Sequence, residues 1–280
     1  MGLTSGHGPL SKRPAGRFNF SPDPAGAALL WDPVPYRVRA IVEREVVADS
    51  RRARLLHETG GLPVYYFPAG DLRDDLLEPA ETRTHCPWKG DATYRSIRVG
   101  ARVVRDAVWE YEHPIDEASF LRGHVALEWN AVDEWFAEDS QLFGHPRDPY
   151  QRIDVWDTSQ HVRVVVAGEV VADSRRARML VETSLPPRYY LPLDDVRFEL
   201  LEPSVTKTRC AYKGSASYWH VRAGGTFEDD LAWTYRDPQH DAEPVRDRVS
   251  FFNERVELEL DGVLQERPLT QWSPKDPRRS

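Results

Sequence analysis

The sequence predicts an all-β protein with little helix, arranged as two tandem domains of small antiparallel sheets. Two observations support this prediction. Short runs alternate in polarity, so that Leu231, Trp233 and Tyr235 share one face, as in a half-buried strand. An eight-residue run also recurs in the second half of the chain. Helical patterns are scarce, and the best candidate is residues 131–139, with Asn130 as N-cap.

The internal repeat is the strongest signal in the sequence. Val47 to Arg54 recurs unchanged as Val171 to Arg178, 124 positions later. The same offset pairs Tyr65-Tyr66 with Tyr189-Tyr190, Cys86 with Cys210, Lys89-Gly90 with Lys213-Gly214, Tyr94 with Tyr218, and Trp109 with Trp233. No gap is needed over about 100 residues, of which roughly 40 are identical, so chance is excluded.

This repeat divides the chain into segments. Residues 1–35 are rich in Gly, Pro and Ser and lack apolar periodicity, which predicts a flexible N-terminal arm. We expect a first repeat at 36–140, a proline-containing connector at 141–158, a second repeat at 159–272 and a C-terminal tail at 273–280.

Composition excludes some partners and compartments. The chain of 280 residues has a formal net charge of −8, which does not favour nucleic acid as a partner. No stretch approaches the ~18 consecutive apolar residues of a membrane span, and no apolar signal-peptide core is evident. With two cysteines, the sequence predicts a reduced cytoplasmic protein that binds no membrane.

Several motifs carry a family resemblance. They are Glu58-Thr59-Gly60, Tyr65-Tyr66-Phe67-Pro68 and Cys86-Pro87-Trp88-Lys89-Gly90 in the first repeat, with Tyr189-Tyr190-Leu191-Pro192 and the run from Cys210 to Tyr218 in the second. With these motifs the chain resembles the tandem form of the family called domain of unknown function 427. The resemblance implies a β-tent fold, in which two small antiparallel sheets meet at an angle. It implies no established activity.

Metal and cofactor sites are not predicted. Relatives of the β-tent fold commonly bind a structural zinc through paired Cys-x-x-Cys motifs, whereas each repeat here has one cysteine. Every histidine has a different residue at its counterpart in the other repeat, so no duplicated histidine acid or base exists. We therefore expect no metal and no cofactor.

The duplicated lysine and cysteine leave alternatives open. Cys86 and Cys210 are either thiolates activated by the following lysine or small buried apolar groups, and the second interpretation is favoured. Lys89 and Lys213 are either solvated turn residues or functional cations. In the functional case each would pair with Glu58 or Glu182, or contact an anionic ligand.

These residues define the predicted site. We expect one concavity per repeat, formed by Glu58, Tyr65, Lys89, Tyr94 and Trp109 in the first repeat and by Glu182, Tyr189, Lys213, Tyr218 and Trp233 in the second. An aromatic pocket with a few polar groups is typical of small-molecule sites. The second repeat is favoured because it has the Phe251-Phe252 hairpin.

The leading hypothesis is therefore a protein that binds a small molecule in one or both repeats. One alternative is an enzyme that uses the Cys, Lys and Glu of the repeat. The other alternative is a protein–protein module whose tandem arrangement gives avidity.

Overall fold

The structure, a computed structural model, describes residues 2–19 and 27–274. Met1, residues 20–26 and residues 275–280, which include parts of the predicted arm and tail, lie outside this range. The chain forms two compact units, Met1–Tyr150 and Gln151–Ser280. The division between them falls inside the predicted connector.

The first unit contains two antiparallel sheets. In spatial order, the larger sheet has seven strands: β1 (Leu29–Pro33), β4 (Arg54–Glu58), β5 (Val64–Pro68), β9 (His124–Leu127), β8 (Arg102–Glu110), β7 (Gly90–Val99) and β6 (Leu77–Cys86). The smaller sheet has β11 (Ser140–Leu142), β10 (Glu134–Ala137), β2 (Val38–Val42) and β3 (Glu45–Ser50). Short 3-10 turns span Ala69–Asp71, Asp74–Leu76, Asp116–Leu121 and Trp129–Ala131.

The second unit repeats this strand order. Its seven-stranded sheet has β12 (Ile153–Asp157), β15 (Arg178–Glu182), β16 (Arg188–Pro192), β20 (Arg248–Phe251), β19 (Thr226–Pro238), β18 (Gly214–Ala223) and β17 (Leu201–Cys210). Its four-stranded sheet has β14 (Glu169–Ser174), β13 (Val162–Val166), β21 (Glu257–Leu260) and β22 (Val263–Leu264). The 3-10 turns span Leu193–Asp195, Phe198–Leu200 and His240–Val245. The prediction of two tandem all-β domains is confirmed.

Strand alternation gives the large sheet of the first repeat two apolar faces. Leu55 and Tyr65 point into the core shared with the small sheet. Their neighbours Leu56 and Tyr66 point to the opposite face, where they join a second apolar cluster. Because successive side chains of a strand alternate in direction, adjacent tyrosines serve different cores.

The predicted helix at residues 131–139 is wrong, because this segment contains strand β10. Trp135 pairs with Ala40 on one side and with Leu142 on the other. Its indole is 3% exposed and stacks on Trp129 at 4.7 Å between ring centroids. Burial of this large ring against the second sheet outweighs the local helical pattern.

The N-terminal arm contacts the first repeat. The Gly60 amide donates to the Thr4 carbonyl at 2.8 Å, and the Thr59 hydroxyl donates to the Leu10 carbonyl at 2.8 Å. Strand β1 begins at Leu29, inside the segment assigned from sequence to the arm. Among the described residues, no helix has the length and apolar content needed to cross a membrane.

We predict that Trp135→Ala destabilises the first repeat by about 3–5 kcal/mol, because it leaves a cavity between the two sheets. Urea unfolding followed by circular dichroism measures this loss. The control is Trp88→Ala, since Trp88 is 38% exposed, and its effect should stay within about 0.5 kcal/mol. Equal losses in the two variants would contradict the assigned packing of β10.

Candidate functional site

A Lys-Gly turn holds the candidate lysine in each repeat. Gly90 has φ +101° and Gly214 has φ +92°, in the region that favours glycine. A Cβ on Gly214 would lie 2.9 Å from the Asp237 carbonyl oxygen, so a side chain does not fit there. The Lys213 carbonyl accepts from the Gln239 amide at 3.1 Å. The turn therefore fixes the lysine backbone on both sides.

Each lysine forms an ion pair with the glutamate that ends a distant strand of the same sheet, β4 in the first repeat and β15 in the second. Lys89 Nζ contacts Glu58 Oε2 in the first repeat. Lys213 Nζ contacts Glu182 Oε2 in the second, where the two side chains are 13% and 6% exposed. Burial lowers the pKa of Lys213, but Glu182, Tyr190 and Cys210 together outweigh this effect, so the net pKa is raised. The sequence left open whether each lysine is solvated, pairs with a glutamate or contacts an anionic ligand. Pairing with the glutamate is what the structure has.

Aromatic rings surround the ion pair of the first repeat. The Lys89 ammonium lies 5.6 Å from the centroid of the Tyr111 ring. The Trp109 indole N–H donates to the Tyr66 hydroxyl at 3.2 Å. Burial raises the pKa of both tyrosines well above the usual value, so each hydroxyl stays protonated.

These groups line a cavity of about 300 Å³ in the first repeat. Its wall consists of Leu56, Glu58, Leu62, Val64, Tyr66, Lys89, Tyr94, Asp106, Trp109, Tyr111 and Glu128. Four of the five residues predicted for this site are thus brought together: Glu58, Lys89, Tyr94 and Trp109. The volume is at the lower end for small-molecule pockets.

Tyr65 is the exception, and the prediction that it lines the concavity is corrected. It points into the core between the two sheets, where its hydroxyl lies 2.9 Å from that of Tyr36. Its counterpart Tyr189 likewise faces Gln160, at 3.3 Å. Of the two adjacent tyrosines on strand β5, Tyr66 is the one that lines the cavity. A shift of one residue along a strand reverses the sheet face to which the side chain points.

In the second repeat the corresponding space is filled by the protein's own side chains. Arg188 lies with its guanidinium carbon 5.6 Å from the Trp233 ring and 5.7 Å from the Phe252 ring. Phe252 packs on Trp233 at 4.5 Å between centroids. Tyr218 donates to or accepts from the Thr208 hydroxyl at 2.8 Å. Phe252, from the hairpin that favoured this repeat in the sequence, is thus one of the side chains that pack on the Trp233 ring.

Seven of the eleven cavity residues were not predicted from the sequence, among them Tyr66, Asp106 and Glu128. Tyr66 follows Tyr65 directly in the sequence but points to the opposite face of strand β5, which is the face that lines the cavity. Asp106 is retained as Asp230 in the second repeat, which was a usable signal. Glu128 corresponds to Phe252 in the second repeat. A search for residues that differ between the repeats could have found it, whereas a search for identical residues could not.

Comparison with protein families identifies the repeated unit. Residues 31–138 and 154–262 each match the family described as Domain of unknown function (DUF427). The chain belongs to this family. Both Lys–Glu pairs lie within the two DUF427 segments, so each pair is internal to one domain. A search of curated proteins finds no match to this chain.

Neither the cysteines nor the described His, Asp and Glu side chains of the two DUF427 domains add a second candidate site. Cys86 is half-buried against the aromatic cluster of the first repeat, and Cys210 is half-buried in the second. Over residues 2–19 and 27–274, no three His, Cys, Asp or Glu side chains are grouped so that they could hold a metal ion. The β-tent architecture, the lack of a cofactor and the cytoplasmic location stay predictions.

We predict that Lys213→Met destabilises the second repeat by about 3–5 kcal/mol, because Glu182 is left buried without its cation. Replacing both residues, as Lys213→Met with Glu182→Gln, should recover most of the loss, since no buried charge is then left without its partner. Chemical denaturation measures the three free energies.

The matched control for this prediction is Lys207→Met, on an exposed position of strand β17. It should change the free energy of unfolding by no more than about 0.5 kcal/mol. A Lys213→Met protein as stable as this control would show that the ion pair is not buried as described.

Proposed function

We propose that this tandem DUF427 protein binds a small organic molecule in the cavity of its first repeat. The observation that carries the proposal is the aromatic wall around a partly buried ion pair, open to a cavity of about 300 Å³. Aromatic rings supply apolar contact area, while a few charged groups orient a ligand. In the second repeat, Arg188 and Phe252 pack on Trp233 in the equivalent space.

The arrangement favours binding over catalysis. A nucleophile needs a general base or a lowered pKa, and Lys89 is committed to Glu58. Tyr66 and Tyr111 have raised pKa values and donate protons poorly as acids at neutral pH. The groups in the cavity are suited to hold and orient a molecule rather than to activate one.

A thermal-shift screen with chemically mixed compounds of fewer than about fifteen heavy atoms tests the proposal, since a cavity of a few hundred Å³ holds ligands of that size. A compound present at 100 times its dissociation constant should stabilise the folded state by about 2.7 kcal/mol. Binding should also perturb the indole N–H resonance of Trp109, which lines the cavity.

A variant that copies the second repeat locates the site. Val64→Arg with Asn130→Glu places the counterparts of Arg188 and Glu254 in the first repeat. We expect it to fold and to lose binding, because the cavity becomes filled. The control is Val103→Arg, which adds an arginine at an exposed position of the same sheet and should bind normally. Hits that bind the filled variant unchanged would contradict the proposed site.

A further inference from the structure

We propose that the cavity of the first repeat receives the positively charged end of its ligand, and that a flat guanidinium group fits it best. This inference rests on the proposed small-molecule binding and adds the chemical class of the ligand. It comes from comparing the open cavity with the group that fills the same space in the second repeat.

The two repeats hold that space with the same framework. The Trp109 indole donates to Tyr66 at 3.2 Å, and the Trp233 indole donates to Tyr190 at 3.1 Å. The loop that follows strand β9 in the first repeat, and strand β20 in the second, is also held by equivalent backbone hydrogen bonds. The Glu128 amide donates to the Ala107 carbonyl at 2.8 Å, and its counterpart on Phe252 donates to the Leu231 carbonyl at 3.2 Å.

In the second repeat, a positively charged side chain of the protein itself lies within this framework. Arg188 stands at the position of Val64, which lines the open cavity. Its guanidinium lies 5.6 Å from the rings of Trp233 and Trp272, within the range of cation–π attraction. Glu254 accepts from both terminal nitrogens at 2.7 Å, a bidentate pair.

The charge of the first cavity matches such an occupant. Three carboxylates, those of Glu58, Asp106 and Glu128, and one ammonium, that of Lys89, line it. Lys89 is paired with Glu58, so two carboxylates remain beyond that pair. Glu128 belongs to the same loop that supplies Glu254 in the second repeat. An anion would meet net repulsion there, whereas a cation would meet attraction.

The aromatic faces of the cavity point to the same ligand class. The wall contains Tyr66, Tyr94, Trp109 and Tyr111, and aromatic rings beside carboxylates are typical of sites for organic cations. Val64 is shorter than arginine, so the space that the Arg188 side chain occupies in the second repeat is open in the first. A ligand would provide the cation that Val64 cannot.

Three compounds of nearly equal shape test the charge preference: n-butylguanidinium, the neutral n-butylurea and the anionic pentanoate. Isothermal titration calorimetry with the full-length protein should show n-butylguanidinium binding at least tenfold more tightly than either of the others. Its affinity should fall as salt rises, because charges near the surface are screened. The filled variant Val64→Arg/Asn130→Glu should lose this binding.

A conservative substitution supplies a second measurement that does not depend on repacking the cavity. Glu128→Gln preserves size and removes one carboxylate at an exposed position. We expect it to weaken n-butylguanidinium about tenfold, as for the loss of one charge-assisted hydrogen bond. Glu134→Gln, at an exposed position outside the cavity wall, should leave the affinity unchanged.

The outcomes separate this inference from the proposed function. If n-butylurea or pentanoate binds as tightly as n-butylguanidinium, or if Glu128→Gln has no effect, the cation preference is overturned. If other small molecules bind the cavity but n-butylguanidinium does not, the cation preference is again overturned while the proposed function stands. If no compound of the mixed set binds, both are overturned.

Discussion

A buried ammonium group must meet an opposing charge, and this constraint organises the site of each repeat. The Lys-Gly turn delivers the lysine from one hairpin, and the end of a strand delivers the glutamate. Leaving either charge alone would cost several kcal/mol, so the two segments are tied together. The aromatic residues then pack around the pair, because their rings tolerate an adjacent cation and exclude water from it.

Duplication allowed the two copies to use this framework differently. Where the first repeat has Val64, the second has Arg188, and the long side chain reaches across the indole to Glu254. Thr270, near the C-terminal end of the described chain, also donates to Glu254. Burial raises the pKa of Glu254, but these hydrogen bonds and the charge of Arg188 outweigh it and lower the pKa overall. The second site is therefore closed by internal contacts, whereas the first is open.

The sequence predicted the fold class and four residues of the cavity wall because both depend on local pattern and identity between the repeats. Alternating runs predicted strands, and retained Glu, Lys and Trp residues predicted the site framework. Three features were not predictable in this way. The direction of Tyr65 depends on which strand face meets the small sheet, and the strand at Trp135 depends on a partner strand distant in sequence. Filling of the second site also depends on Trp272, which has no counterpart in the first repeat.

The central claim is that equivalent positions hold an open cavity in one repeat and a built-in cation in the other. A high-resolution crystal structure of the unmodified protein tests it most directly. We predict the Arg188 guanidinium between the Trp233 and Trp272 rings and paired with Glu254, with only solvent or ligand inside the cavity that Trp109 lines. An Arg188 side chain directed into bulk solvent, or a first cavity closed by its own side chains, would contradict the account.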